Sequence, residues 1–258
     1  MDQTQRQNEI LSQIERRGRV SVSDLARTHA TSQQTIRKDL RSLERAGRLA
    51  RIHGGAVRAD PARYADYGAR RQIAAAAKSA IGAMCASLIP DNSTVFVNIG
   101  TTTEAAATRL TRHSGLRLLI DNINVANELR AYPGLEILIA GGRVRAGDGA
   151  IVGEQAVQFI QQFRVDYALI GAAAIEPDGA LMDHDLREAQ VAAAIMQSAR
   201  HVILTADASK FGRTAPVRIG ALSQVHTLIT DRDVPPRIAS LCAEAGTRIL
   251  TTRGGQEA

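Results

Sequence analysis

The chain has 258 residues, of which 45% are hydrophobic and 22% charged, enough apolar content to bury a core and too much for intrinsic disorder. Its formal net charge of +6 is unevenly placed: residues 1–58 carry 12 Lys+Arg against 6 Asp+Glu, while the other 200 residues carry 20 of each. A basic first quarter beside a neutral remainder implies a polyanionic partner for the first part alone. No aromatic residue precedes Tyr64, so that part has no stacking platform for single strands, and duplex DNA is the expected partner. The only cysteines, Cys85 and Cys242, lie far apart without partners at metal-ligand spacing, so no disulfide framework, metal site or cofactor is expected. The first ten residues lack an apolar core, and the most apolar later stretch, residues 73–89, carries Lys78 and is mostly alanine. No membrane segment is expected, and a reducing cytoplasm fits best.

Taken in chain order, Ile10, Leu11 and Ile14 repeat at helical spacing, Ser21 to His29 forms a second helix, and Ser32 opens a third that stops near Gly47. The alternating run from Arg48 to Val57, folded at Gly54-Gly55, reads as a small hairpin or wing. Residues 1–58 are thus expected to form a winged helix-turn-helix. On a helical wheel with Ile36 at zero, Leu40 and Leu43 fall within about 40° of it, while Gln34, Lys38, Arg41 and Arg45 lie about 140–200° away and Arg37 at about 100°. The outer face is a line of hydrogen-bond donors suited to guanine and adenine edges and to phosphates in a major groove. The expected DNA contacts are Ser32, Gln33, Gln34, Thr35, Arg37, Lys38 and Arg41, with Arg51 and His53 from the wing.

Residues 59–72 contain Pro, Gly and mixed charge with little apolar periodicity, and read as a linker. From Ile73 to the end, short apolar strands alternate with helices. Strands are expected at 95–99, 116–120, 135–140, 165–170, 201–206, 225–230 and 247–250, and helices at 103–112, 154–163, 188–199 and 236–245. The fold class is therefore α/β, an open parallel sheet whose ligand crevice lies beyond the carboxyl ends of the strands.

Several blocks carry a resemblance to a known family. Arg6, Ile10 and Ile14, followed by SQQTIRKDL from Ser32 and by RIHGGA, resemble the helix-turn-helix and wing of DeoR-type bacterial transcriptional regulators. The resemblance continues through NIGTTTEA, DNINVAN, IAGGRVRAGDGAIVGE, FIQQFRVDYALIG and HVILTADASKFGR. It implies a repressor that binds double-stranded operator DNA as a homo-oligomer, a dimer or tetramer. It also implies a sensor domain over 73–258 with the fold of ribose-phosphate isomerases and glucosamine-phosphate deaminases. The effector so implied is a phosphorylated polyol or sugar, with glycerol 3-phosphate foremost.

The residues that could hold such an effector cluster in loops after strands. Gly100, Thr101, Thr102 and Thr103 leave one strand and enter a helix, so that Gly100 permits a tight turn and outward amides and hydroxyls can take an anion, or a threonine can simply cap the helix. Asp121 and Asn122, with Asn124, follow the next strand and read equally as ligand-hydroxyl contacts or turn residues. Gly141 and Gly142 allow close backbone approach but also mark turns. Lys occurs three times against 29 Arg, and Lys210 places one of these compact ammonium groups in the loop DASKFG. The resemblance puts that lysine in the effector pocket. Asp183 and Glu188, in the polar run DHDLRE, are read as helix caps and ligand-hydroxyl contacts. This chain departs from the usual family pattern at Ile120, Gln190 and Ala193. Isomerases and deaminases of the fold place acid–base residues just beyond the strand equivalent to 165–170, where this chain has Gly171-Ala172-Ala173-Ala174. No catalytic residue is expected, and the chain is read as a non-enzyme.

Overall fold

The computed structural model describes residues 3–17, 19–45, 48–52, 54–58 and 67–253. The chain divides into two compact units, Met1–Arg70 and Arg71–Ala258. In the first, α1 (Gln3–Arg17) is followed by β1 (Arg19–Ser21), α2 (Val22–Thr28), α3 (Gln33–Arg45), β2 (Leu49–Ile52) and β3 (Gly55–Arg58). Ile10 and Ile14 of α1 meet Leu25 of α2 and Ile36, Leu40 and Leu43 of α3 in one core, as the periodicity requires. Ser21 caps α2 by accepting from the Asp24 amide at 3.0 Å. The wing is an antiparallel sheet in the order β1-β3-β2. The strand β1 has no periodic signal of its own; it exists because β3 presents a free edge for it to pair with.

A short helix, α4 (Tyr67–Gln72), takes up the end of the expected linker and buries no side chain. The second unit continues with α5 (Ala75–Ser87), β4 (Thr94–Val97), α6 (Thr101–Ala107), β5 (Leu116–Ile120), α7 (Ile123–Leu129) and β6 (Leu135–Ile139). A hairpin of β7 (Arg143–Val144) and β8 (Ile151–Val152) precedes α8 (Glu154–Ile160) and β9 (Val165–Ile170). Then come β10 (Ala174–Ile175), β11 (Ala180–Asp183), α9 (Leu186–Ser198), β12 (Ala199–Thr205), β13 (Val217–Ala221), β14 (Thr227–Thr230), α10 (Pro236–Ala245) and β15 (Arg248–Thr251). All seven strands expected from the sequence enter one parallel sheet, in the order β15-β14-β12-β9-β4-β5-β6. The short strands β10, β11 and β13 form a separate antiparallel sheet.

Alternation along the central strands sends side chains to two cores. Phe96 joins Ala168, Ile170 and Leu204 beneath α8, α9 and α10, whereas Val95 and Val97 join Leu118, Ile120 and Leu169 beneath α5, α6 and α7. Ile120, where the family pattern has a polar residue, lies wholly inside the second core and contributes apolar packing. From β4 the chain winds outward through β5 and β6, then returns to place β9 on the other side of β4. The strand order therefore reverses between β4 and β9, and the crevice of such a sheet opens at that point.

On the second core, α5 and α6 cross at Gly82. A Cβ there would stand 2.5 Å from the carbonyl carbon and oxygen of Ala105, so the helices touch through backbone. Gly82→Ala must push them apart, and overpacking of this kind costs about 1 to 3 kcal/mol. Denaturant unfolding of the full chain should show that loss in the second unit; unchanged stability would mean that the crossing is looser than it looks here.

Candidate nucleic-acid interface and effector site

The donor face of α3 is built by what its opposite face must bury. With Ile36, Leu40 and Leu43 inward, Gln33, Gln34, Arg37, Lys38 and Arg41 are exposed. An open trough of about 720 Å³ runs along this face, lined by Gln34, Arg37, Lys38 and Arg41 together with Gln3 and Arg6 of α1. Ser32 has a structural duty: its Oγ accepts from the Thr35 amide at 3.1 Å and lies 2.9 Å from Thr35 Oγ1, which caps α3. Ser32 and Thr35 thus set the helix start, and the donors that follow them lie on the exposed face. The Arg37 guanidinium donates to Gln33 Oε1 at 3.2 Å. The side chain of Arg51 and the whole of His53 lie outside the described residues.

One buried pair, not singled out by sequence reasoning, holds the recognition helix. Asp39 is 1% exposed; its Oδ2 accepts from Arg6 Nε at 2.6 Å and its Oδ1 from Gln7 Nε2 at 3.4 Å, tying α3 to α1. The position was visible in the motif, but only the packing shows that this carboxylate faces inward.

In the second unit, the loop Asn98 to Thr103 leaves β4 at the switch point. Gly100 has φ +152°, a conformation that side chains avoid. It begins α6 with no side-chain cap, leaving the first-turn amides without a side-chain acceptor. The three threonines differ. Thr103 is buried, and its hydroxyl lies 2.7 Å from the carbonyls of both Asn98 and Gly100, so it braces the loop. The hydroxyls of Thr101 and Thr102 make no hydrogen bond among the described residues.

Behind the loop, Asn98 Nδ2 donates to Asp121 Oδ2 at 2.6 Å, while Asp121 Oδ1 is buried with no partner among the described residues. Burial, reinforced by nearby Glu188 and opposed by the Asn98 hydrogen bond, pushes the Asp121 carboxyl up to about 8. Asp121 is therefore mostly neutral at pH 7. Asn122 is committed internally: its Oδ1 accepts from the Asn124 amide at 2.8 Å, capping α7, and its Nδ2 donates to Glu104 Oε1 at 3.0 Å. Asn122 thus caps α7, and Asp121 lies buried just beyond β5.

Because the folded state keeps a proton on Asp121 that the unfolded chain releases above about pH 4, its burial lowers stability progressively as pH rises from about 4 to about 8. Asp121→Asn removes that penalty, at a gain of about 1 to 3 kcal/mol near pH 8 that shrinks toward pH 4. Melting curves of both proteins between pH 5 and pH 8.5 should diverge as pH rises; a constant offset would contradict the buried-acid assignment.

Asp183 and Glu188 belong to a cluster around one guanidinium that sequence reasoning missed. Arg145, on the β7–β8 hairpin, reaches Asp148 at 2.6 Å, Glu188 at 2.6 Å and Asp185 at 3.3 Å. Burial and the neighbouring Asp183 raise Glu188 to about 7, with Arg145 opposing. Burial also raises Asp183, whose Oδ1 accepts from the His184 and Asp185 amides. Asp185 caps α9 and pairs with Arg187, which holds it down at about 2. Helix capping is thus done by Asp185, while Glu188 is engaged by Arg145. Gly141 and Gly142 are exposed at the end of β6. Lys210 lies in a 3-10 turn, Ala208–Lys210, just beyond β12, and Asp207 Oδ1 accepts from the Ser209 amide there. The loops after β4, β5, β6 and β12 all leave the carboxyl edge of the sheet. Lys78, noted from sequence only as a charge within an apolar stretch, and Glu104 are both buried and belong to a cleft between α5 and α6.

A helix-turn-helix joined to a doubly wound domain with polar loops at its switch point defines a DNA-binding regulator with a sensor domain. The DeoR-like helix-turn-helix domain matches residues 6–62 and the DeoR C terminal sensor domain residues 73–232. The chain belongs to the DeoR family of transcriptional regulators. It is 41% identical over 254 residues to the glycerol-3-phosphate regulon repressor of Haemophilus influenzae, covering 98% of this chain and 99% of that one. It is 37% identical over 245 residues to the HTH-type transcriptional repressor CsqR of Escherichia coli, covering 95% and 94%. These full-length relatives are named repressors, not enzymes. Ribose 5 phosphate isomerase A from Neisseria gonorrhoeae is more distant, at 13% identity and a TM-score of 0.37 over 52% of each chain. Among the described residues no helix is long and apolar enough to cross a membrane, and no group of three His, Cys, Asp or Glu side chains is placed to hold a metal ion.

Proposed function

We propose that this chain represses genes of glycerol 3-phosphate metabolism and leaves its operator when glycerol 3-phosphate binds at the carboxyl edge of the parallel sheet. The observation that carries the reading is the Gly100–Thr103 loop, which presents uncapped amides and two unused hydroxyls at the switch point of a domain tethered to a DNA-reading helix. Phosphate oxygens suit those donors, with Lys210 as a countercharge from the loop after β12. A neutral Asp121 beneath the loop avoids repelling the dianion. Arg145, Asp183 and Glu188 line the end where polyol hydroxyls would be read, and Gly141 and Gly142 give backbone room. The protein acts as a homo-oligomer on two related half-sites about one or more helical turns apart.

Relief of repression requires that operator and effector bind antagonistically, with a coupling of about 1 to 3 kcal/mol that is equal in both directions. Calorimetric titration of glycerol 3-phosphate into the free protein and into the operator complex should show weaker binding to the complex, by about 5- to 150-fold. Glycerol should bind neither. Equal affinities would remove the mechanism. The second reading keeps the repressor and changes the effector, and the comparable identity to CsqR favours testing it. A thermal-shift panel of sugar and polyol phosphates separates the two, since a ligand of the folded state raises its stability.

A further inference from the structure

The last strand on one side of the parallel sheet is apolar but uncovered. In β6, four of the five residues from Leu135 to Ile139 are Leu or Ile and none is buried, whereas its neighbour β5 buries all but Arg117. Leu135 and Ile137 rest on one core and Leu138 on the other, while Ile139 is 44% exposed. Four of the five large hydrophobic side chains exposed among the described residues, Ile123, Tyr132, Ile139 and Val144, lie in the segment from α7 to β7. The opposite edge, β15, has two aliphatic residues and starts with the exposed Arg248.

The backbone of β6 specifies the kind of partner that fits. Ala140 N donates to the Ile120 carbonyl at 2.9 Å. Bonding alternates along a parallel ladder, so Glu136 and Leu138 face β5, while Leu135, Ile137 and Ile139 turn their amides and carbonyls outward. The Leu135 amide is taken by the Tyr132 carbonyl at 3.1 Å. No strand among the described residues pairs with this outer edge. Natural edges are commonly blunted by lysine, proline or a bulge; β6 has none of them. Its single charge, Glu136, accepts from Arg117 Nε on β5 at 2.7 Å, which balances it and draws it back toward its own sheet.

A second copy of the same strand, laid antiparallel with Ile137 on a twofold axis, meets these requirements. Each Ile137 amide then donates to the partner's Ile137 carbonyl, and each Ile139 amide to the partner's Leu135 carbonyl. The Leu135 amide, already in use, needs no acceptor. Glu136 falls opposite the partner's Leu138, so like charges do not face each other. Antiparallel pairing also brings Tyr132, just before one strand, toward the end of the other, where the partner's Ile139 is exposed.

We propose that two sensor units associate through the β6 edge, joining their parallel sheets into one continuous sheet across a twofold axis. The inference rests on the homo-oligomer reading above and assigns the surface that forms it.

Sedimentation of the full chain over a range of concentrations tests it with Ile139→Lys and Ile139→Pro, which alter an exposed side chain and an outward amide. Both should weaken association at least tenfold while the second unit keeps its melting temperature. Leu186→Lys, at an exposed aliphatic residue starting α9, should associate as the wild type does. The pairing also sets the two Ile137 Cα atoms about 5.5 Å apart, within disulfide reach. Ile137→Cys should therefore cross-link under mild oxidation. Ile139→Cys, though more exposed, should not, because its two copies stand four residues out of register. The native Cys85 and Cys242 are buried. Unchanged association of both Ile139 variants, or cross-linking by Ile139→Cys and not by Ile137→Cys, would overturn the proposal and leave the edge to a different protein. A wild type that stays monomeric at every concentration would instead sink the homo-oligomer reading itself.

Discussion

Asp39→Ala should abolish operator binding without changing effector binding by the second unit. The substitution leaves Arg6, whose side chain is 13% exposed, facing an emptied site in the α1–α3 interface. Breaking a buried pair from one side costs about 3 to 5 kcal/mol, because the guanidinium loses its carboxylate at a largely buried site. Folded domains as a rule hold only about 5 to 15 kcal/mol in total, and a unit of this size sits at the low end. The expected result is a full-length protein whose first unit melts at or below room temperature while the second melts as in the wild type. Removing Arg6 as well should recover part of the loss, since the double variant buries no unmatched charge. Wild-type operator affinity in Asp39→Ala would show that the pair is dispensable and that the apolar core alone orients α3.

Lys210→Ala should have the opposite phenotype, a repressor that stays on its operator at effector concentrations that release the wild type. Losing one charge-assisted hydrogen bond to a phosphate costs about 1.5 to 3 kcal/mol, or one to two decades of affinity. The remaining donors of the Gly100–Thr103 loop keep binding measurable. Operator affinity in the absence of effector should be unchanged, because Lys210 belongs to the other unit. Titration of effector into the operator complex, read by fluorescence anisotropy, measures both quantities at once. Normal release combined with weakened operator binding would place Lys210 in folding or assembly and the phosphate elsewhere.

How much of the site can be read from sequence depends on what each residue is tied to. The Gly100–Thr103 loop is legible because a glycine followed by hydroxyl residues between a strand and a helix has few other uses. The separation of Thr103 from Thr101 and Thr102 is not, since it depends on which hydroxyl turns back onto the Asn98 and Gly100 carbonyls. Arg145 sits 40 residues from Asp185 and 43 from Glu188, and no local pattern announces such a bridge. Lys78 is legible only as a charge in an alanine-rich stretch, and its burial shows only in the folded chain.

The same division runs through the whole chain. Period-two and helical patterning is local, so it is enough by itself to place the recognition helix, its donor face and all seven strands of the parallel sheet; the basic first quarter identifies a polyanion partner. What needed the folded chain were pairings between distant segments: β1 on the edge of β3, the small sheet of β10, β11 and β13, the reversal of strand order beside β4, and the inward turn of Asp39 and Asp121. Those features carry little sequence signal because their stabilisation comes from hydrogen bonds and desolvation shared across tens of residues, and a carboxylate looks the same in sequence whether it ends in water or beneath a ligand crevice.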